Sequence, residues 1–404
     1  MHGLEAVVRE ALDRHLLSAS AAPIAVALSG GGDSLALALI AADWAKAHGR
    51  SLLVLTVDHR LRAESAAWTQ ACAATARRLG AGFRALAWEG EKPATGLPAA
   101  ARATRHRLIA EAARDAGAKV VLMGHTASDR LEAAAMRRAG ATTPSPREWS
   151  PSPAWPEGRD VFLLRPLLGL ARAGLRDWLA ARGETWIEDP ANDDPRFARA
   201  RARAGLTGAE TDEMTPARDL AGLARIAIDL GGGLALPRAA LHDAPQAFLA
   251  AACLCAAGTR RPPRSDRLER LAEALKGAGA LTATLAGARI EADAAGEVRF
   301  LRDTGREGLA PLTLAAGETG VWDGRFEITA GRPVTVQALS GHAAGLPSVQ
   351  RAALQRLPAG ARGTLPFVVG EGSPVLAALS ELAVRPLALD RLRSACGAVQ
   401  LEPA

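Results

Sequence analysis

Up to about residue 205 the chain alternates between two hydrophobic periods. Short continuous apolar runs, PIAVAL (23–28), SLLVLTVD (51–58), FRALAWE (83–89) and KVVLMG (119–124), are each followed by a longer Ala/Leu/Arg segment of helical spacing. A short apolar run bounded by turns reads as a strand buried on both faces. Alternation of such strands with helices predicts an α/β fold, a parallel sheet with helices on both faces. Ligands in these sheets bind beyond the carboxyl ends of the strands. A glycine run follows the first strand, VDH ends the second and GHTASD follows the fourth, so all three stretches fall on one rim.

Further along, TTPSPREWSPSPAWPEG (142–158) reads as a long irregular loop. DVFLLRPLLGL and the amphipathic RAGLRDWLAARG come next, and ETWIEDPANDDP (184–195) reads as a turn-rich acidic linker. Residues 206–280 are Leu/Ala-rich and helical in pattern, whereas LTATLAGARIEAD, EVRFLRD and VWDGRFEITAG suggest β structure. The expected organisation is an α/β domain over 1–205, a helical middle domain over 206–305 and a small α+β C-terminal domain over 306–404.

Composition changes this picture little. The 404 residues carry a net charge of +6 and a pI near 9.7, a pointer to an acidic partner such as nucleic acid. The cysteines, Cys72, Cys253, Cys255 and Cys396, form no CxxC pair, which argues against a zinc ribbon or dithiol centre. The N-terminal segment is charged throughout, unlike a signal peptide, and no apolar run is long enough to span a membrane. A cytoplasmic location with no membrane partner is expected. Nothing in the pattern decides the oligomeric state, and a homodimer is one assembly open to it.

The glycine run supplies the first chemistry. Ser29-Gly30-Gly31-Gly32-Asp33-Ser34 is not a Walker A loop, because the chain contains no Gly-Lys dipeptide, and Leu35 spoils a GxGxxG reading. Hydroxyls and backbone N–H groups in such a loop can cradle phosphates, and the carboxylate can hold a magnesium ion. The plain alternative is a glycine-rich turn with Asp33 or Ser34 as N-cap. The pattern S-G-G-x-D-S resembles the signature of the ATP pyrophosphatase (PP-loop) superfamily, adenine nucleotide alpha hydrolase-like enzymes that cleave ATP between the α and β phosphates.

Three more stretches narrow the resemblance. VDHRLRAES (57–65), GHTASDRLEAAAMRR (124–138) and RPLLGLARAGLRDWLAARGETWIEDPANDDPRFARARAR (165–203) resemble, in order and spacing, motifs of the tRNA(Ile)-lysidine synthetase family. The likeness covers roughly residues 20–205, with weaker traces in RRPPRSDRLERL and WDGRFEIT. It implies ligation of L-lysine to C2 of the wobble cytidine in an isoleucine tRNA with a CAU anticodon. ATP and Mg2+ would be the cofactors, and an adenylated base the intermediate.

The resemblance also implies roles. Asp33 and Asp129 would hold the metal, and Asp129 and Glu132, three apart on one helical face, would serve metal and lysine. A capping box with Thr126 is the competing reading of Asp129; Glu132 has no i+3 or i+4 cation and reads as a carboxylate open to substrate. Asp58, His59 and His125 would lie near the nucleotide, with strand-end hydrogen bonding or a core histidine as alternatives. Arg102, with Arg105 second, would stand near the substrates, on one helical face with His106, while Arg107 should pair with Glu111. Arg196, Arg199 and Arg203 form a stripe with no acid between Asp194 and Glu210. Arg199 would lie near the ATP phosphates or the tRNA, and Arg196 and Arg203 would face the tRNA. A second cluster, Arg260, Arg261, Arg264 and Arg267, suits tRNA phosphates, or is simply a charged loop at a helix start.

Four positions depart from the family pattern: Arg60 for a glycine, Ser128 for an acid, Arg130 for a glutamine and Ala200 for an asparagine. Loss of the acid at Ser128 bears on metal binding. Other readings are a tRNA base thiolase, which needs paired cysteines that residues 1–205 lack, a small-molecule amide ligase, or a non-catalytic nucleotide-binding module.

Overall fold

The computed structural model describes residues 2–140, 145–189, 201–202, 220–294, 296–369 and 375–404. The chain divides into two compact units, Met1–Thr215 with Gln400–Ala404, and Pro216–Val399.

In the first unit the four apolar runs become β1 (Ile24–Ala27), β2 (Leu52–Asp58), β3 (Gly82–Ala87) and β4 (Val120–Met123). With β5 (Trp149–Pro151) and β6 (Phe162–Leu164) they form one sheet in the order β3-β2-β1-β4-β6-β5. Every pairing is parallel except β5 with β6. The Pro/Ser/Trp insert is therefore not wholly irregular: it contributes the antiparallel edge strand. Helices α1 (His2–His15), α2 (Gly32–Ala47), α3 (Ser65–Arg78), α4 (Leu97–Asp115), α5 (Ala127–Arg138) and α6 (Arg172–Ala180) accompany the sheet. α2 is apolar nearly all round, with nine buried residues from Ser34 to Ala45, as a helix enclosed by its neighbours must be.

Strand order reverses between β1 and β4. The chain steps outward from β1 through β2 to β3, then returns to the other side of β1 as β4. The carboxyl ends of β1 and β4 flank this switch point, the place where open α/β sheets bind ligands. α2 and α5 begin there.

Residues 400–404 complete this first unit. Arg50 and Glu402, with side chains 1% and 0% exposed, form a two-pronged ion pair at 2.7 and 2.8 Å. Arg50 also donates to the carbonyls of Leu17 and Ala22, and Glu402 accepts from the Leu17 N–H at 2.9 Å. The Glu402 N–H donates to His15 O at 2.8 Å, and the His15 ring meets Gln400 O and Glu148 Oε1.

Among the described residues, the second unit holds two hydrophobic clusters. One is built on the five-stranded antiparallel sheet of Ile228–Asp229, Leu234–Pro237, Leu281–Leu285, Ala288–Ala292 and Glu297–Arg302. Helices Gln246–Ala257 and Ser265–Lys276 pack on it, and Leu392 and Cys396 join from the end of the unit. Residues 206–280 are thus not helical throughout, since two strands of this sheet come from 228–237. The other core, around Trp322, Phe326, Ile328 and Phe367, lies with a four-stranded and a three-stranded sheet.

Candidate active site

The glycine run turns the chain from β1 into α2. Gly30 has φ +88°, a left-handed conformation for which glycine is suited. The N-cap of α2 is Gly31, which has no side chain to cap with, so Asp33 and Ser34 lie inside the first turn rather than before it. Ser34 Oγ donates to Gly31 O at 2.9 Å and accepts from Ser29 N at 3.2 Å, tying the loop to itself. A helix N-terminus opened by glycines is a ready anion site.

Two close approaches hold this loop in place. A Cβ at Gly124, just past β4, would fall 3.0 Å from Ser34 Cα and N and 3.1 Å from Asp33 C, so the two strand-end loops touch backbone to backbone. On the other side, Trp186 and Ile187, in the stretch that reads as a linker, pack on the glycines. Ile187 N donates to Gly30 O at 2.9 Å, a Cβ at Gly30 would meet Ile187 Cδ1 at 2.5 Å, and the Trp186 ring lies beside Gly32.

The carboxylates converge here. Asp33 on α2, and Asp129 and Glu132 on α5, all face the guanidinium of Arg172, the first residue of α6. Arg172 Nε donates to Asp33 Oδ2 at 2.8 Å, while its Nη atoms lie 3.6 Å from Asp129 Oδ1 and 3.6 Å from Glu132 Oε1. The Ala127 N–H bonded to Leu170 O at 3.0 Å docks the start of α5 on the approach to α6. Burial pushes the Asp33 carboxyl above its ordinary value, and Arg172 opposes the rise only in part. Asp129 does form the capping box: its Oδ2 accepts from Thr126 N at 2.7 Å and Thr126 Oγ1 at 3.0 Å. Its Oδ1 is the oxygen turned to Arg172. Glu132 is not the open carboxylate its spacing suggested, being fully buried and facing the same guanidinium. Arg172 was invisible to spacing rules, since its partners lie 40 to 139 residues away.

A basic group lies on α4. Arg102 and Arg105 share a face with His106, and Arg107 pairs with Glu111 at 2.9 Å. His106 is not a surface group: it is buried, and burial together with Arg105, Arg102, Arg165 and His125 pushes it down to about 2, so it stays neutral. Arg165, which spacing did not single out, is held by Arg147 O at 2.7 Å and Ser150 Oγ at 3.0 Å, and burial beside Arg102 brings it to about 10. His59 lies edge-on to Trp88 and is lowered by burial and by Arg105. Asp58 Oδ1 accepts from Arg60 N at 2.7 Å, the strand-end bond considered for it. Arg60, where the family pattern has glycine, adopts φ +53°.

Hard carboxylate oxygens suit Mg2+, which takes one or two carboxylates and completes its shell with water and phosphate oxygens. Asp33 and Asp129, flanking the helix N-terminus, fit that donor set. Among the described residues, no group of three or more His, Cys, Asp or Glu forms a metal cage on its own.

Arg196, Arg199 and Arg203 lie outside the described residues, as does Ala200. In the second unit Arg260, Arg261, Arg264 and Arg267 are all exposed. Arg261, Arg264 and Arg267 line a groove of about 400 Å³ floored by Pro262, Pro263 and Leu285. An adjoining hollow of about 370 Å³ runs past Arg267 to Arg270.

Known proteins resemble this chain over most of its length. Residues 4–210 match the PP-loop domain family. The chain is 51% identical over 98% of its length, and 98% of the relative's, to a tRNA(Ile)-lysidine synthase of Caulobacter vibrioides. It is 39% identical to one from Mesorhizobium japonicum, covering 75% of this chain and 71% of that one, and 36% identical to one from Rhizobium meliloti, covering 78% and 75%. A glycine loop opening a helix, with acids gathered beside it at the strand-order reversal, thus belongs to a chain that is a member of the tRNA(Ile)-lysidine synthase family and carries its PP-loop domain.

Proposed function

We propose that this enzyme ligates L-lysine, through its ε-amine, to C2 of the wobble cytidine of isoleucine tRNA bearing a CAU anticodon, cleaving ATP to AMP and pyrophosphate. The observation that carries the reading is the meeting of Asp33, Asp129 and Glu132 beside the glycine loop, in a chain so similar to named lysidine synthases. In the first step the cytidine O2 attacks the α-phosphorus and pyrophosphate leaves. In the second the amine nitrogen attacks C2, sheds a proton, and AMP departs with the former O2.

The chain's own groups divide this work. The loop from Ser29 to Ser34, at the N-terminus of α2, binds the phosphates and orients the α-phosphorus. Asp33 and Asp129 would hold Mg2+, which supplies charge neutralisation on the phosphates when bound. Glu132 and Asp129 receive the lysine ammonium, and a carboxylate at that position can take the proton the amine must lose. Arg102 and Arg105 present positive charge to the anionic parts of the substrates, with Arg199 assigned the same role. Asp58, His59 and His125 border the adenosine. Arg196, Arg203, Arg260 and the groove of Arg261, Arg264 and Arg267 bind tRNA phosphates, which gives the second unit its part in the reaction.

Incubating the protein with the tRNA, ATP and lysine, then weighing the wobble nucleoside, tests the reading. A gain of one lysine less one water, with AMP and pyrophosphate in equal amount, is expected. Production of ADP and phosphate, or AMP release independent of tRNA, would overturn it.

A further inference from the structure

Arg172 stands where its own helix does not favour it. The first turn of a helix carries partial positive charge and suits acids, yet α6 opens on an arginine and has no acid in its first turn. What holds the guanidinium is the carboxylate set contributed by two other helices, at 2.8, 3.6 and 3.6 Å. Under the proposed function, Asp129 and Glu132 in this set are the groups that must receive a cationic substrate amine. In this structure they already face a cation, the Arg172 guanidinium.

The same side chain reaches the nucleotide's place. Its Nε bonds to Asp33, in the first turn of α2, and the turn's open N-terminus is the phosphate site of the proposed reading. A guanidinium binds phosphate oxygens through two parallel hydrogen bonds at least as well as it binds carboxylates. On the proposed reading, phosphates bound at this turn offer Arg172 a second set of partners.

We propose that Arg172 is a positioning residue that orders substrate binding. It neutralises Asp129 and Glu132 in the nucleotide-free enzyme, transfers to the phosphates when ATP binds, and so opens the carboxylates to lysine only after the nucleotide is in place. The inference rests on the proposed function, because it takes lysine and ATP as the ligands. It adds a direction of coupling: each ligand raises the affinity for the other by one common factor, as linkage requires.

Calorimetric titration of lysine into the full-length protein, without tRNA, tests this. It is done with and without an ATP analogue whose α–β bridge is methylene, so that no cleavage occurs. Wild-type protein is expected to bind lysine at least about tenfold more tightly with the analogue present. Arg172→Gln should bind lysine nearly equally in both conditions, and without nucleotide more tightly than wild type. Arg172→Lys keeps a point charge but loses the fork that spans the carboxylates, and should show coupling reduced at least about threefold. This second variant decides the matter if the first fails to fold, as judged by its melting curve. Nucleotide-independent lysine binding by wild type, or undiminished coupling in the variants that fold, would overturn the inference alone. No lysine binding by wild type in either condition, together with no AMP formation when tRNA is added, would overturn the proposed substrate as well.

Discussion

Gly124→Ala isolates the contact that holds the glycine loop against the end of β4. Gly124 has no left-handed φ, so the added methyl carries no backbone strain of its own. Its cost is steric: the Cβ would lie 3.0 Å from Ser34 Cα and N and 3.1 Å from Asp33 C, where ordinary contact is 3.4–4 Å. These are backbone atoms and cannot rotate aside. The loop after β4 and the first turn of α2 must part by roughly 0.4–1 Å, with an overpacking cost of about 1–3 kcal/mol. Displacement on that scale at reacting groups can cost about a hundredfold in rate. Differential scanning calorimetry should show a lower melting temperature for the first unit, and AMP formation with tRNA and lysine should fall by one to two orders of magnitude, about ten- to a hundredfold. Gly174→Ala provides the contrast. It lies on α6 with nothing within 4 Å of its Cβ, and alanine there should stabilise by about 0.5–1 kcal/mol with activity kept. Wild-type turnover and melting in Gly124→Ala would mean that the two loops do not depend on that contact.

Three further outcomes are expected. Because burial raises Asp33, the folded state holds its proton more tightly than the unfolded chain does; stability from this group is present at low pH and lost as pH rises through the raised value. At neutral pH Asp33→Asn should therefore melt no lower than wild type while AMP formation drops at least about a hundredfold, and a melting point several degrees lower would contradict this. Glu402→Ala leaves the buried Arg50 guanidinium without its carboxylate and should destabilise the first unit by about 3–5 kcal/mol, whereas Arg50→Met with Glu402→Leu recovers much of the loss; a change too small for calorimetry to detect in Glu402→Ala would refute the buried pair. Replacing Arg260, Arg261, Arg264 and Arg267 with alanine should weaken tRNA binding and reduce its log–log salt slope by about one for each phosphate no longer neutralised, and an unchanged slope would remove the groove from the interface.

The strands and the helices between them were legible because each obeys a local rule of period and punctuation. So was the position of the glycine loop, the second strand's end and the fourth strand's end on one rim, since parallel topology puts them there. Asp129 and Glu132 were legible as a pair on one face. Their environment was not, because the cation they face comes from another helix and no spacing encodes it. Gly124 carried a readable hint, a lone glycine between a strand and a polar helix start, but only the packed sheet shows what approaches it. Residues 184–189 look like a linker by composition, yet Trp186 and Ile187 are apolar side chains that find their surface on the glycines. In the second unit, continuous Leu/Ala text concealed the strands at 228–237, where the apolar pattern suits either state. The exposure of the Arg260–Arg267 cluster followed from its prolines and charge density.

The fold-back of residues 400–404 has a consequence for synthesis. The first unit is discontinuous in sequence: Glu402, partner of Arg50, is separated from it by 352 residues, and the whole of Pro216–Val399 lies between. A nascent chain exposes the sheet and the glycine loop early but cannot form the Arg50–Glu402 pair until the second unit has emerged behind it. Until then, among the described residues, Arg50 has the carbonyls of Leu17 and Ala22 to bond with. Completion of the ATP-binding unit is thereby tied to translation of the unit that follows it, and a chain interrupted after residue 399 would carry every acid of the site on a unit still missing its final clasp.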